Sequence, residues 1–119
     1  MERFNDLFSR DVDGVKIATG GDMFGTAYQD RQADNVITAK ELGFNNFEVL
    51  QMTTKNAAEV VQLSGELNPW KEAPLGVVEV GAWGDVIIVD GNPLEDINAI
   101  KKDNVKLVVQ GGTVHKNTL

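Results

Sequence analysis

One carboxylate in this chain stands where it could do chemistry. Residues 15–21 run Val-Lys-Ile-Ala-Thr-Gly-Gly and lead into Asp22. An apolar run that stops at two glycines and an aspartate reads as a buried strand opening into a permissive turn that presents one acid group. A carboxylate held that way can take up a proton or a cation. A lone Asp after a buried strand can equally be a turn or cap residue.

The other candidates are weaker. Asp11-x-Asp13 begins a twelve-residue run ending at Asp22, which invites a calcium-loop reading. The sixth position is Lys16 rather than glycine, the fifth is Val15, and the last is Asp rather than a bidentate Glu, so the loop fails. Gly20 and Gly25 give the Gly-x-x-x-x-Gly skeleton of a phosphate loop, but Thr26 stands where the lysine should be. Asp85, Asp90, Glu95 and Asp96 cluster in sequence. Asp85 and Asp90 are five apart on one expected strand, hence on opposite faces and roughly 16 Å apart, and cannot act as a pair. Turn and cap roles suit these acids. Trp70 and Trp83 lie beside glycine turns and read as packing residues rather than a ligand platform.

The single histidine, His115, and the absence of cysteine restrict the chemistry further. Catalytic zinc sites usually take three protein ligands, and Ser-His-Asp catalysis needs a histidine near a serine. His115 reads as an ordinary strand-end residue. Without cysteine there are no disulfides, thiolate metal sites or cysteine nucleophile.

The elements that would position Asp22 follow from pattern. Phe4, Leu7 and Phe8 are spaced for a short helix, and Asp11 to Gly14 for a turn. Residues 15–19 read as a strand buried on both faces, and 20–31 as a loop. Asp34 could cap a helix running to about Leu42, ended by Gly43. Asn45 or Asn46 caps a second helix carrying Phe47 and Leu50. Asn56 is a plausible cap for a third, with Ala57, Val60 and Val61, stopped by Gly65. Pro69-Trp70 lies in a polar loop. Residues 75–80 suggest a short extended piece, and 86–89, four β-branched residues between two aspartates, give the clearest strand. Pro93 opens a short helix over 94–100. Residues 105–109 and 113–116 form a hairpin on Gly111-Gly112.

The chain's 119 residues suffice for one ordinary domain, and 42% hydrophobic with 24% charged residues is a globular composition. A formal net charge of −7 argues against a nucleic-acid partner, whose phosphates need a basic face. No apolar run approaches the ~20 residues of a membrane span, and the first residues lack a signal-peptide core. The expected partners exclude nucleic acid and membrane, and the expected location is cytoplasmic.

Residues 75–94, Leu-Gly-Val-Val-Glu-Val-Gly-Ala-Trp-Gly-Asp-Val-Ile-Ile-Val-Asp-Gly-Asn-Pro-Leu, resemble the C-terminal signature of the amidohydrolase superfamily. Residues 105–116 are similar to that family's closing hairpin. Residues 47–61, with Met-Thr-Thr-Lys-Asn-Ala-Ala at 52–58, resemble its last helices, and residues 15–22 its eighth barrel strand with the terminal Asp. The nearest branch is that of the Xaa-Pro dipeptidase and imidazolonepropionase-like enzymes. Gly84 stands where the family more often has alanine.

The resemblance implies an α/β fold: the end of a (β/α)8 metal-dependent hydrolase barrel in residues 1–65, and the C-terminal strands of a small composite β-sandwich in 66–119. It implies hydrolysis of a C–N bond in a cyclic amide or dipeptide-like substrate. The cofactor would be a divalent metal, zinc above others. Asp22 matches the family's catalytic Asp, which acts as general base and touches the metal; it would be a metal ligand only in a complete enzyme. The His-x-His pair and the other ligands have no counterpart here, and a whole barrel needs roughly 250 residues. The expectation is therefore a C-terminal portion, from a shortened gene or a cleaved product, inactive alone, whose partner is the missing N-terminal part or a second copy. Two other readings stay open: a non-catalytic scaffold or interaction fragment, and an unrelated small α/β binding domain.

Overall fold

The computed structural model describes residues 16–21 and 26–119. The expected helix at Phe4–Phe8 and the turn at Asp11–Gly14 lie outside the described residues. Among those described, no helix is long and apolar enough to cross a membrane.

Three eight-residue helices follow one another: α1 (Asp34–Glu41), α2 (Asn46–Thr53) and α3 (Lys55–Gln62). The cap of α1 is Ala33, one residue before the expected Asp34, which sits in the first turn and accepts a hydrogen bond from Arg31 Nε at 2.6 Å. Gly43 closes α1 in the left-handed region, φ 99°, its N–H donating to Lys40 O, as expected of a helix-ending glycine. Asn45 caps α2 in a reciprocal box: its Oδ1 accepts from the Glu48 N–H, and Glu48 Oε2 accepts from the Asn45 N–H. Thr54 separates α2 from α3. Its hydroxyl turns back onto Leu50 O, and its backbone (φ −110°, ψ −90°) forms the corner. Asn56, the expected cap of the third helix, lies inside it instead.

The core joins α1 and α2 through Val36, Ala39, Val49 and Met52, and Ile97 enters it from far down the chain. Val49 is fully buried and Ile97 nearly so; each such side chain contributes about 1.5–3 kcal/mol by leaving water. Ile97 belongs to a 3-10 turn, Ile97–Ile100, where a helix over 94–100 is expected. The regular helix fails because Asp96 is extended (φ −135°, ψ 110°) and its carboxylate caps the turn through the Asn98 N–H. Asn46 ties the same region to α2 by donating to Leu94 O at 2.9 Å.

β1 (Val86–Val89), β2 (Val105–Gln110) and β3 (Thr113–Asn117) form one antiparallel sheet in that order. The β2–β3 turn uses Gly111 (φ 55°) and Gly112 (φ 77°), two successive positive φ values that side-chain-bearing residues resist. The extended piece expected at 75–80 is absent. Gly76 and Gly81 both take positive φ, which breaks a pleat, and the Trp83 N–H closes the loop onto Pro74 O. The 20–31 loop contains a 3-10 turn, Thr26–Arg31.

Candidate functional site

Asp22, the one residue the sequence singles out, lies outside the described residues. The run that leads into it is described. Residues 16–21 form no strand: none of β1, β2 and β3 pairs with them. Helices hold the run instead. The Thr19 N–H donates to Met52 O at 3.1 Å, and the Thr19 and Thr53 hydroxyls meet at 3.0 Å. Asn56 Nδ2 donates to Ile17 O at 2.8 Å, and Asn35 Nδ2 to Gly21 O at 2.8 Å. Lys16 Nζ pairs with Glu59 Oε2 at 2.5 Å. That hydrogen bond, with the Lys16 charge, holds the Glu59 carboxyl below its ordinary value.

A groove of about 290 Å³ runs along residues 17–20. Its walls are Ile17, Leu42, Phe44 and Met52, with Asn35 and Thr38 as polar groups. It is apolar space with no acid or base among those walls.

The other candidates take structural roles. Asp85 accepts the Gly111 N–H at 2.6 Å and so fastens the β2–β3 turn. Asp96 caps its turn; the bonds from the Asn98 side chain and backbone hold its carboxyl low. Asp90 reaches Lys106 at 3.9 Å. Trp83 Nε1 donates to Trp70 O at 3.1 Å, fixing one loop to the next. His115 is exposed on β3. Among the described residues no three His, Cys, Asp or Glu come together to hold a metal. With one histidine and no cysteine in the chain, the donors present do not fit a complete catalytic metal site.

Sequence reasoning missed Asn56, Thr53 and Asn35. Asn56 is expected as a cap and instead binds a carbonyl 39 residues away. Its one signal is an amide side chain inside a helix, where it gains nothing from helix propensity.

The amidohydrolase family model matches residues 9–114. No curated protein matches the chain. Among solved structures, an amidohydrolase is 30% identical, with a TM-score of 0.76, over 98% of this chain and 26% of its own. A prolidase complexed with N-methylphosphonate-L-proline is 32% identical, with a TM-score of 0.73, over 97% of this chain and 26% of its own. A Xaa-Pro dipeptidase with methionine bound in its active site is 26% identical, TM-score 0.73, over 98% and 25%. The chain thus spans about a quarter of the length of the structures it matches. On the extent of the family match, it belongs to the amidohydrolase family.

Proposed function

We propose that this chain is the C-terminal portion of a metal-dependent amidohydrolase that cleaves a C–N bond in a dipeptide-like or cyclic amide substrate. Residues 1–65 then end a (β/α)8 barrel, and residues 66–119 supply the C-terminal strands of a small composite β-sandwich. The carrying observation is a likeness that spans nearly all of this chain and only a quarter of its neighbours. The prolidase holding N-methylphosphonate-L-proline and the dipeptidase holding methionine support a small, amino-acid- or dipeptide-like substrate.

Asp22 is the general base in this reading. It takes a proton from the attacking water and returns it to the leaving nitrogen. The divalent metal, zinc in this proposal, requires donors this chain lacks, so the chain's partner is the remainder of the parent enzyme or, in its absence, a second copy. The setting is cytoplasmic.

The test replaces the matching C-terminal quarter of the prolidase with this chain and measures Xaa-Pro dipeptide hydrolysis with added divalent metal. The hybrid is expected to turn over, and Asp22→Asn to slow it about 10²–10⁴-fold. A folded, metal-loaded hybrid without turnover, or one indifferent to Asp22→Asn, counts against the reading. The 119 residues alone are expected to show no turnover; metal-dependent activity that Asp22→Asn abolishes would show that they are not merely a portion.

A further inference from the structure

Every second residue of the run before Asp22 is fastened through its backbone by a helix. Ile17 O accepts from Asn56, the Thr19 N–H donates to Met52 O, and Gly21 O accepts from Asn35. The hydroxyls of Thr19 and Thr53 add a side-chain tie at the middle position. Two of the three backbone attachments are made by asparagine amides. An amide can donate to a carbonyl; an aspartate of the same shape cannot, and a leucine would leave the carbonyl unpaired. Thr53 and Asn56 lie three apart across the α2–α3 corner, so one corner grips residues 17 and 19 while α1 grips residue 21 from its first turn.

We infer that Asn56, Thr53 and Asn35 are positioning residues: a clasp that fixes the backbone of residues 17–21 and so sets the direction in which the chain enters Asp22. The inference rests on the proposed role of Asp22 for its catalytic meaning, but the clasp itself is read without any activity. A backbone entering a catalytic carboxylate must be held to a fraction of an ångström, since small misplacements cost rate steeply. A barrel strand is ordinarily held by its neighbours; here side chains with specific donors do part of that work.

The experiment uses the whole 119-residue chain, with amide exchange and backbone chemical shifts read by NMR. In Asn56→Ala and in Thr53→Val, the Thr19 amide is expected to exchange about tenfold faster or more, as one lost hydrogen bond implies. The Asp22 amide resonance is expected to move, while β2 and β3 amides keep their protection. Thr53→Ser, which keeps the hydroxyl, is expected to restore both signals to those of the parent. Unchanged Thr19 exchange in both variants overturns the clasp. So does loss of protection throughout the sheet, because the corner would then support the whole fold rather than this run. Loosened Thr19 with an unmoved Asp22 resonance overturns positioning. If the hybrid enzyme ignores Asp22→Asn while Thr19 exchange responds as stated, the clasp stands and the role of Asp22 falls.

Discussion

Gly76 shows how much one missing atom matters. A Cβ there would lie 2.5 Å from the Thr54 carbonyl oxygen and 2.9 Å from the Ala58 Cβ, on a backbone already at φ 70°. Its hydrogen lets the 75–84 loop lie against the α2–α3 corner. Gly81 has a similar φ of 88° but open space around it. Gly76→Ala is therefore expected to cost more than the roughly 1–3 kcal/mol of a strained dihedral alone. Gly81→Ala should cost only that strain, and urea unfolding of the two variants separates contact from conformation. Equal losses would show that Gly76 is kept for φ, not for approach. Gly84 is intermediate. A Cβ there would meet the Gly112 nitrogen at 3.0 Å, so the Gly111-Gly112 turn would have to shift slightly to accept it.

Among the elements, two are tied by carboxylates whose titration the fold shifts: the run at residues 16–21 and the turn at Ile97–Ile100. Lys16 and Glu59 join the run to α3, and Asp96 caps the turn that brings Ile97 into the core. Both carboxyls titrate lower in the folded chain than when free, chiefly through the hydrogen bonds from Lys16 and Asn98 respectively. Groups shifted that way stabilise the fold above their unfolded values, about 4.3 for Glu and 3.9 for Asp, and lose that contribution as pH falls through the lowered folded values. The urea midpoint is expected to fall as pH drops below about 4, and Glu59→Gln to flatten part of that fall. An identical pH profile in the variant would mean that the Lys16 pair contributes nothing, as exposed pairs often do.

The elements legible in the sequence were those whose signals are local. Four β-branched residues in a row announced β1, the glycine pair announced the hairpin, and of the two caps offered for α2, Asn45 and Asn46, the structure takes Asn45. Where distant partners decide, the pattern is not enough. Residues 15–19 read as a strand; the described part has helical hydrogen-bond partners and no strand neighbour among the described residues, and under the proposed reading such neighbours belong to the rest of the barrel. Asn56 looks like a cap because its true partner is 39 residues away. The Leu94–Ile100 stretch has a helix's composition, but Asn92 and Asp96 take its first donors into turns. The family was readable in residue types; what holds residues 17–21 was not, since only contacts disclose it.

At the scale of the molecule, apolar surface is left uncovered. Val86 and Ile88 share one face of β1 and Ile87 lies on the other, and all three are exposed, Ile87 by 53%. Val78 is 95% exposed beside them. Since β1 is an edge strand, its open backbone edge adds a template for pairing. Under the proposed reading this face belongs against the rest of a larger enzyme. The isolated chain is expected to associate with itself as concentration rises, and Ile87→Lys to reduce that association; sedimentation velocity checks both. A monomer at every concentration would favour an independent domain instead.

The reach of the Asn56–Ile17 bond has an entropic consequence. Pairing Gln110 with Thr113 closes a loop of three residues, whereas joining residue 56 to residue 17 closes one of 39. On loop length alone the longer closure costs about 2 kcal/mol more, set against the three backbone bonds, the hydroxyl tie and the Lys16–Glu59 pair that hold residues 16–21, each of modest net strength. Residues 16–21 are thus attached on a margin that a covering neighbour would widen; under the proposed reading, docking the rest of the enzyme would shorten the time this run spends undone.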